Sequence, residues 1–113
     1  MIRDEMIATA TRYLDALVSH RGDDVPLAAH CRRTERGRNT GASGDEIRTQ
    51  LASEIMQGIT GYRDTRWFVD GDNAVVFYVL DAYGMHVDIA ERFLVRDGEI
   101  HEIEAIFELP TPS

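Results

Sequence analysis

Residues 87–107, VDIAERFLVRDGEIHEIEAIF, decide the fold. A single β-strand is predicted over Val87–Ala90 and Glu91–Val95. A returning strand is predicted over Glu99–Phe107. The residues between them, Arg96-Asp97-Gly98, are typical of a tight turn. The segment therefore predicts an antiparallel hairpin near the carboxyl end of the chain.

Two more strands are predicted before this hairpin. Tyr62–Asp70 is rich in aromatic and β-branched residues, which favour strands. Asp70-Gly71-Asp72-Asn73 then supplies turn residues. Ala74–Tyr83 is almost entirely apolar, and this pattern predicts a central strand buried on both faces. Gly84 separates that strand from the hairpin.

Helices are predicted in the amino-terminal half. Ile2–His20 repeats apolar residues at helical spacing. A second, short helix is predicted over Val25–His30, after a cap at the preceding aspartate. Cys31–Ala42 is polar and rich in arginine, which indicates a loop, with a short strand inside it as the alternative. A third helix is predicted to begin at a Ser-x-x-Glu capping box, Ser43 to Glu46, and to run to about Met56.

This order predicts one α+β domain, in which three N-terminal helices pack on a curved, mainly antiparallel sheet. With 113 residues the chain suffices for one modest core. We expect the domain to span residues 1–108 and residues 109–113 to form a short tail. A sheet that curls over a helix encloses a pocket, so the pattern also predicts a place for a ligand.

Charge and composition restrict the partners. The net charge is −8, with twelve Arg and no Lys, which disfavours nucleic acid and excludes a Schiff-base lysine. No apolar run approaches the ~20 residues that span a membrane. Cys31 is the only cysteine and the amino terminus lacks a hydrophobic signal core, so we expect a cytoplasmic protein. Four scattered His without metal-ligand spacing and the lack of a glycine-rich phosphate loop predict no cofactor.

Strand alternation predicts which side chains face the pocket. The inward set of the penultimate strand is Ile89, Glu91, Phe93 and Val95. The inward set of the last strand is His101, Ile103, Ala105 and Phe107. The pocket would then be apolar, with Glu91 and His101 as its ionisable groups. The outer face is predicted to carry Tyr78, Leu80, Asp88, Arg92, Glu102 and Glu104, a mixture suited to a homodimer interface.

The chain resembles the nuclear transport factor 2-like superfamily, in particular its polyketide-cyclase-like (SnoaL-like) and ketosteroid-isomerase-like members. The resemblance is carried by RYLDAL at residues 12–17, FLVRDGEI at 93–100 and IHEIEAIF at 100–107. It covers nearly the whole chain and implies a cone-shaped, cystatin-like α+β fold. Because one fold of this kind serves many functions, the site needs its own argument.

The resemblance also implies site residues. Tyr13 matches the oxyanion-hole tyrosine, Glu91 the protonated acid, and Glu35 the catalytic base. Two departures are that both acids are Glu rather than Asp, and that Glu35 lies among arginines. His101 is a further candidate for proton transfer, and Arg33, with Arg36 as the alternative, for binding an anionic ligand. The predicted ligand-binding side chains are Trp67, Phe93, Ile103 and Phe107.

Three classes of function remain open from the sequence. The first is a cofactor-independent isomerase or cyclase that moves a proton on a small apolar carbonyl compound, with epoxide opening as a related reaction. The second is a non-catalytic protein that binds a small apolar molecule. The third is an interaction domain whose sheet is a dimer surface. The resemblance favours the first.

Overall fold

The computed structural model describes residues 1–109, which form two α-helices, two short 3-10 helices and six strands. Helix α1 spans Arg3–Ser19 and α2 spans Gly44–Leu51, and the 3-10 helices are Gly22–Asp24 and Glu54–Gly58. The strands are β1 Leu27–Glu35, β2 Arg38–Gly41, β3 Ile59–Asp70, β4 Asn73–Ala82, β5 Met85–Arg96 and β6 Glu99–Phe107. None of the helices in this part of the chain is long and apolar enough to cross a membrane.

All six strands form one sheet in the order β2-β1-β6-β5-β4-β3. Only β1 and β6 are parallel, so the sheet is mainly antiparallel, as predicted. Register shifts interrupt the β1–β2, β3–β4 and β5–β6 pairs, and such bulges bend a sheet. Helix α1 buries Met6, Ala10, Tyr13, Leu14, Ala16 and Leu17 against the concave face.

Two-residue turns set the register of the hairpins. In Arg36-Gly37, Tyr83-Gly84 and Asp97-Gly98, both residues have positive φ, from 52° to 80°. Such turns match the twist of paired strands, and glycine adopts the second position without strain. The predicted turn at Asp97-Gly98 is therefore confirmed.

The predicted helix over Val25–His30 is wrong, because strand β1 begins at Leu27. Residues of β1 pair with β6 on one side and with β2 on the other, and Leu27, Ala28 and Cys31 are buried. Pairing with the edge of β6 satisfies the backbone groups of both strands, which outweighs a short helix of weak propensity. The predicted loop at Cys31–Ala42 is accordingly the end of β1, a turn and β2.

Two other predictions need correction. The third helix ends at Leu51 rather than near Met56, and Ile55, beyond its end, is exposed. Its predicted cap is present, since the Glu46 N–H donates to Ser43 Oγ at 3.1 Å. Strand β4 buries one face only: Ala74, Val76, Tyr78, Leu80 and Ala82 are buried, while the residues between them are partly or fully exposed. The predicted tail lies almost wholly outside the described residues.

Candidate active site

A cavity of about 420 Å³ lies between α1 and the concave face of β4, β5 and β6. Most of its walls are apolar, formed by Leu17, Met56, Ile59, Leu80, Ala82, Val87, Ile89, Ala105 and Phe107. Its ionisable members are Tyr13, Glu35, Tyr78 and Glu91, with Tyr83 at the rim. A mainly apolar cavity with a few converging polar groups is the usual form of a small-molecule site.

Glu91 is the buried acid of this cavity. It projects from β5, is only 3% exposed, and accepts a hydrogen bond from the Tyr78 hydroxyl at 2.6 Å. Burial raises the pKa of Glu91 to about 7; nearby Glu35 adds to this rise, while the Tyr78 bond and Arg33 oppose it. The carboxyl group therefore exists in both protonation states near neutral pH.

Tyr13 presents a neutral phenol to the same cavity. It projects from the buried face of α1, and its oxygen accepts a hydrogen bond from Arg33 Nη1 at 3.2 Å. Burial holds the pKa of Tyr13 far above its usual range, despite the opposing charge of Arg33. Because Arg33 only donates, the Tyr13 hydroxyl keeps its own proton free for another acceptor.

Arg33 is held rigidly behind Tyr13. Its Nε donates to Thr40 Oγ1 at 3.0 Å, and its Nη2 donates to the Thr40 carbonyl at 3.0 Å and to Gln50 Oε1. These partners come from β2 and α2, and the β1–β2 register shift next to Arg33 helps to aim the side chain inward. The guanidinium is thus a fixed positive charge that orients the phenol of Tyr13.

Glu35 lies at the end of β1, where the cavity approaches solvent. Its side chain is 34% exposed. Its Oε1 lies 3.8 Å from Arg33 Nε, so the two side chains form an ion pair. Glu35 stands beside Ala105 of β6, which in turn stands beside Glu91 of β5. Two strand spacings place the two Glu backbones about 10 Å apart across the sheet.

The structure brings together some of the predicted site residues and separates others. Tyr13, Glu35, Glu91 and Phe107 line the cavity, and Arg33 contacts Tyr13. Phe93 packs edge-on against Tyr13, with ring centroids 5.5 Å apart, and Trp67 lies behind it at 6.5 Å. These two and Ile103 belong to the packed core around the site rather than to the cavity wall.

The structure places His101 away from the cavity. Val95 pairs with Ile100 and Leu94 with Glu102, so His101 is the extra residue of a bulge. The bulge interrupts the alternation of inward and outward side chains along β6. His101 Nδ1 instead lies 3.0 Å from Nε2 of His30, an exposed residue of β1. The prediction that His101 faces the pocket is therefore corrected, because counting by twos across a bulge fails.

The prediction that Tyr78 and Leu80 lie on the outer face of the sheet is wrong. Both are buried and line the cavity rather than the outer surface. The signal that identifies them is the turn at Tyr83-Gly84, which pairs Ala82 with Met85 and hence Tyr78 with Ile89. Directly paired residues share a face, so Tyr78 follows Ile89 inward.

Other reactive groups do not add to this site. Burial raises the pKa of Cys31 to about 11, so its thiol is neutral and a poor nucleophile. Among residues 1–109, no group of three or more His, Cys, Asp and Glu side chains is arranged to hold a metal ion. The cavity residues themselves offer hydrogen bonding and proton transfer.

Solved structures share this architecture at low identity. An NTF2-like protein of unknown function from Burkholderia xenovorans superposes with a TM-score of 0.79 at 10% identity, covering 97% of this chain and 88% of that one. A Kribbella flavida protein, named provisionally as a ketosteroid isomerase, gives 0.78 at 17% identity with 97% and 84% covered. An M. tuberculosis LEH-like epoxide hydrolase gives 0.72 at 24% identity with 93% and 84% covered.

These likenesses confirm the predicted nuclear transport factor 2-like fold. No curated protein matches the sequence. A family profile described as a domain of unknown function, DUF8021, matches residues 1–107, which is nearly the entire chain. The protein is therefore a member of the DUF8021 family and has the nuclear transport factor 2-like fold.

Proposed function

We propose that the protein is a cofactor-independent enzyme of the isomerase or cyclase type, which transfers a proton on a small apolar carbonyl compound. The observation that carries this proposal is Glu91, a carboxyl group with a pKa of about 7 at the polar end of an apolar cavity, beside two tyrosine hydroxyls. Such a group is tuned for proton chemistry near neutral pH. The fold shared with a provisionally named ketosteroid isomerase is consistent with it.

In the proposed reaction the carbonyl oxygen of the substrate accepts hydrogen bonds from Tyr13 and from neutral Glu91. The Glu35 carboxylate removes a proton from the carbon next to the carbonyl; the electrons of that C–H bond form a C=C bond, and the π electrons of the carbonyl move to the oxygen as an enolate. In a substrate with a β,γ double bond, Glu35 then returns the proton to the γ-carbon, so the double bond moves next to the carbonyl and the net change is isomerisation. Donors fixed before the reaction stabilise the negative oxygen without reorganising.

The assay that tests this proposal is exchange of carbon-bound protons for deuterium. The protein is incubated in D₂O with methyl and cyclic ketones, and loss of the α-proton signals is followed by NMR. Accelerated exchange is expected for at least one ketone, whereas a protein that only binds its ligand would leave the exchange rate unchanged.

The rate of exchange is expected to fall as pH rises through about 7, because ionisation of Glu91 removes a donor. In Glu91→Gln the amide N–H donates at every pH, so the profile should lose this decline and keep most of the low-pH rate. A wild-type rate that instead rises through the same range, and is abolished in Glu91→Gln, would make Glu91 the base and overturn the assignment.

Epoxide opening is the second candidate. Arg33 lies 3.8 Å from Glu35, and its charge lowers the pKa of Glu91 against the effect of burial, so the three residues form an acid–Arg–acid set. An LEH-like epoxide hydrolase shares the fold. In that reaction a carboxylate activates water while a neutral acid donates to the epoxide oxygen. Incubating the protein with limonene oxide and styrene oxide in ¹⁸O-water separates the two, since only hydrolysis yields a labelled diol.

We also propose that the protein forms a homodimer through the outer face of the sheet. Phe68, Phe77 and Ile106 are exposed there, and the guanidinium of Arg66 lies 5.8 Å from the Phe77 ring centre. Beside them Arg92 pairs with Glu102 and Glu104, each at 3.1 Å. Exposed apolar side chains beside a cluster of paired charges suit a moderately polar interface.

Sedimentation tests the dimer. The wild-type protein is expected to be dimeric at micromolar concentration and Phe77→Asp to be monomeric, because the substitution places a charge in the centre of the interface. Ile55→Asp, a change of the same kind at another exposed position, should leave the dimer intact. A wild-type protein that sediments as a monomer contradicts the proposal.

A further inference from the structure

The cavity is polar at one end and apolar at the other. Glu91, its neighbour Ala105 and Glu35 form a row across β5, β6 and β1. The next row holds Tyr78 with Ile89 and Phe107, and the rows beyond hold Leu80 with Val87 and then Ala82 with Met85. The ionisable side chains that the strands contribute, Glu35, Glu91 and Tyr78, thus occupy the first two rows, and we expect a ligand to place its polar atoms there.

The axis of this cavity is long. Glu91 and Met85 are six residues apart on β5, and both line the cavity. At about 3.3 Å per residue, the polar row and the last apolar row are about 20 Å apart. A volume of about 420 Å³ spread over this length describes a narrow channel rather than a round chamber.

The apolar end opens between exposed side chains. Ile55, Tyr83, Met85 and Leu109 all line the cavity, yet each is largely exposed. Single exposed apolar residues are ordinary, but several around one opening are typical of a ligand groove. This rim gains burial only from a ligand that extends to the opening.

The rim is held in place before any ligand binds. The Tyr83 hydroxyl donates to the Ile55 carbonyl, and the Tyr83 N–H donates to the Gly58 carbonyl at 2.9 Å. These bonds tie the 3-10 helix Glu54–Gly58 to the turn between β4 and β5. The opening is therefore a preformed feature, which reduces the entropy lost when a ligand covers it.

We propose that the substrate is an elongated, neutral amphiphile, with a carbonyl group at one end and an unbranched apolar tail that runs along β5 to the rim. This inference rests on the proposed function, because it takes the carbonyl to lie at Tyr13 and Glu91. An anionic head group is disfavoured, since it would meet the carboxyl groups of Glu35 and Glu91. A compact ligand would leave the four rim side chains in water.

Chain length provides the test. Binding of methyl ketones, from butanone through methyl octadecyl ketone, whose extended tail is longer than the channel, is measured by isothermal titration calorimetry. Affinity is expected to rise about fourfold for each added methylene, the worth of burying one CH₂ group, and to level off once the chain passes the rim. An affinity that does not depend on chain length, or absence of binding by all of these ketones, overturns the proposal.

Rim variants sharpen the test. Ile55→Ser combined with Met85→Ser is expected to weaken binding of the longest ketone about tenfold and to leave butanone unchanged. Ile106→Ser, at an exposed apolar position outside the cavity, should change neither. If the double variant and Ile106→Ser lose the same affinity for the longest ketone, the tail does not lie at the rim. Weaker binding of butanone by the double variant would contradict the proposal in the same way.

The two proposals fail in different ways. If short ketones exchange their protons in a Tyr13-dependent manner but chain length has no effect on binding, only the elongated substrate is wrong. If affinity rises with chain length and the rim variants respond, but none of the ketones exchanges, the channel is real and the proton-transfer function is wrong.

Discussion

Replacing Tyr13 with Phe is expected to slow proton exchange by about 10²–10³-fold, the usual cost of removing one donor to a developing oxyanion. The Tyr13 oxygen accepts from Arg33, so the proton of the Tyr13 hydroxyl is free to point to the substrate. Removing the oxygen therefore removes the donor and leaves the apolar ring, which packs against Phe93, in place.

The fold should survive this substitution. Arg33 keeps Thr40 and Gln50 as partners, so its charge stays hydrogen-bonded when the Tyr13 oxygen is absent. Tyr62→Phe is the matched control: that hydroxyl donates to Asp15 at 2.5 Å, away from the cavity, and its loss should leave exchange unchanged. Exchange rates that are equal in wild type and Tyr13→Phe would remove Tyr13 from the mechanism.

At alkaline pH, Glu91→Gln is expected to raise the free energy of unfolding by about 3 kcal/mol more than it does at acidic pH. The pKa of Glu91 rises from 4.5 to about 7 on folding. Below pH 4.5 the carboxyl is neutral in the folded and in the unfolded protein, so its burial does not lower the free energy of unfolding through ionisation. Between these values the unfolded chain ionises first, so the free energy of unfolding falls by about 1.4 kcal/mol per pH unit and then levels off.

Urea unfolding at about pH 4.5 and about pH 8 measures this difference. Glutamine accepts from Tyr78 as Glu91 does but does not ionise, so the gap between variant and wild type should open as pH rises. Glu99→Gln, at the exposed first residue of β6, removes the same charge and should show little gap. A gap that is the same at both pH values would mean that Glu91 ionises freely in the folded protein.

Several elements followed from local sequence alone. The apolar repeat of α1, the capping box at Ser43 and the turn at Asp97-Gly98 each depend on residues close in the chain, and the structure contains all three. The inward set around Glu91 also followed, because β5 alternates without interruption from Ile89 to Val95. The roles expected of Tyr13, Glu35 and Glu91 came instead from the family resemblance, and the three side chains line one cavity.

Only the tertiary structure decided the rest. Strand β1 replaces a helix because β6, seventy residues later, offers it an edge, and His101 leaves the cavity because of one bulge. The contact of Arg33 with Tyr13 and the pKa of Glu91 depend on burial by several elements at once. Local spacing determines helices, turns and strand faces, whereas pairing partners, bulges and desolvation are set by residues far apart in the chain.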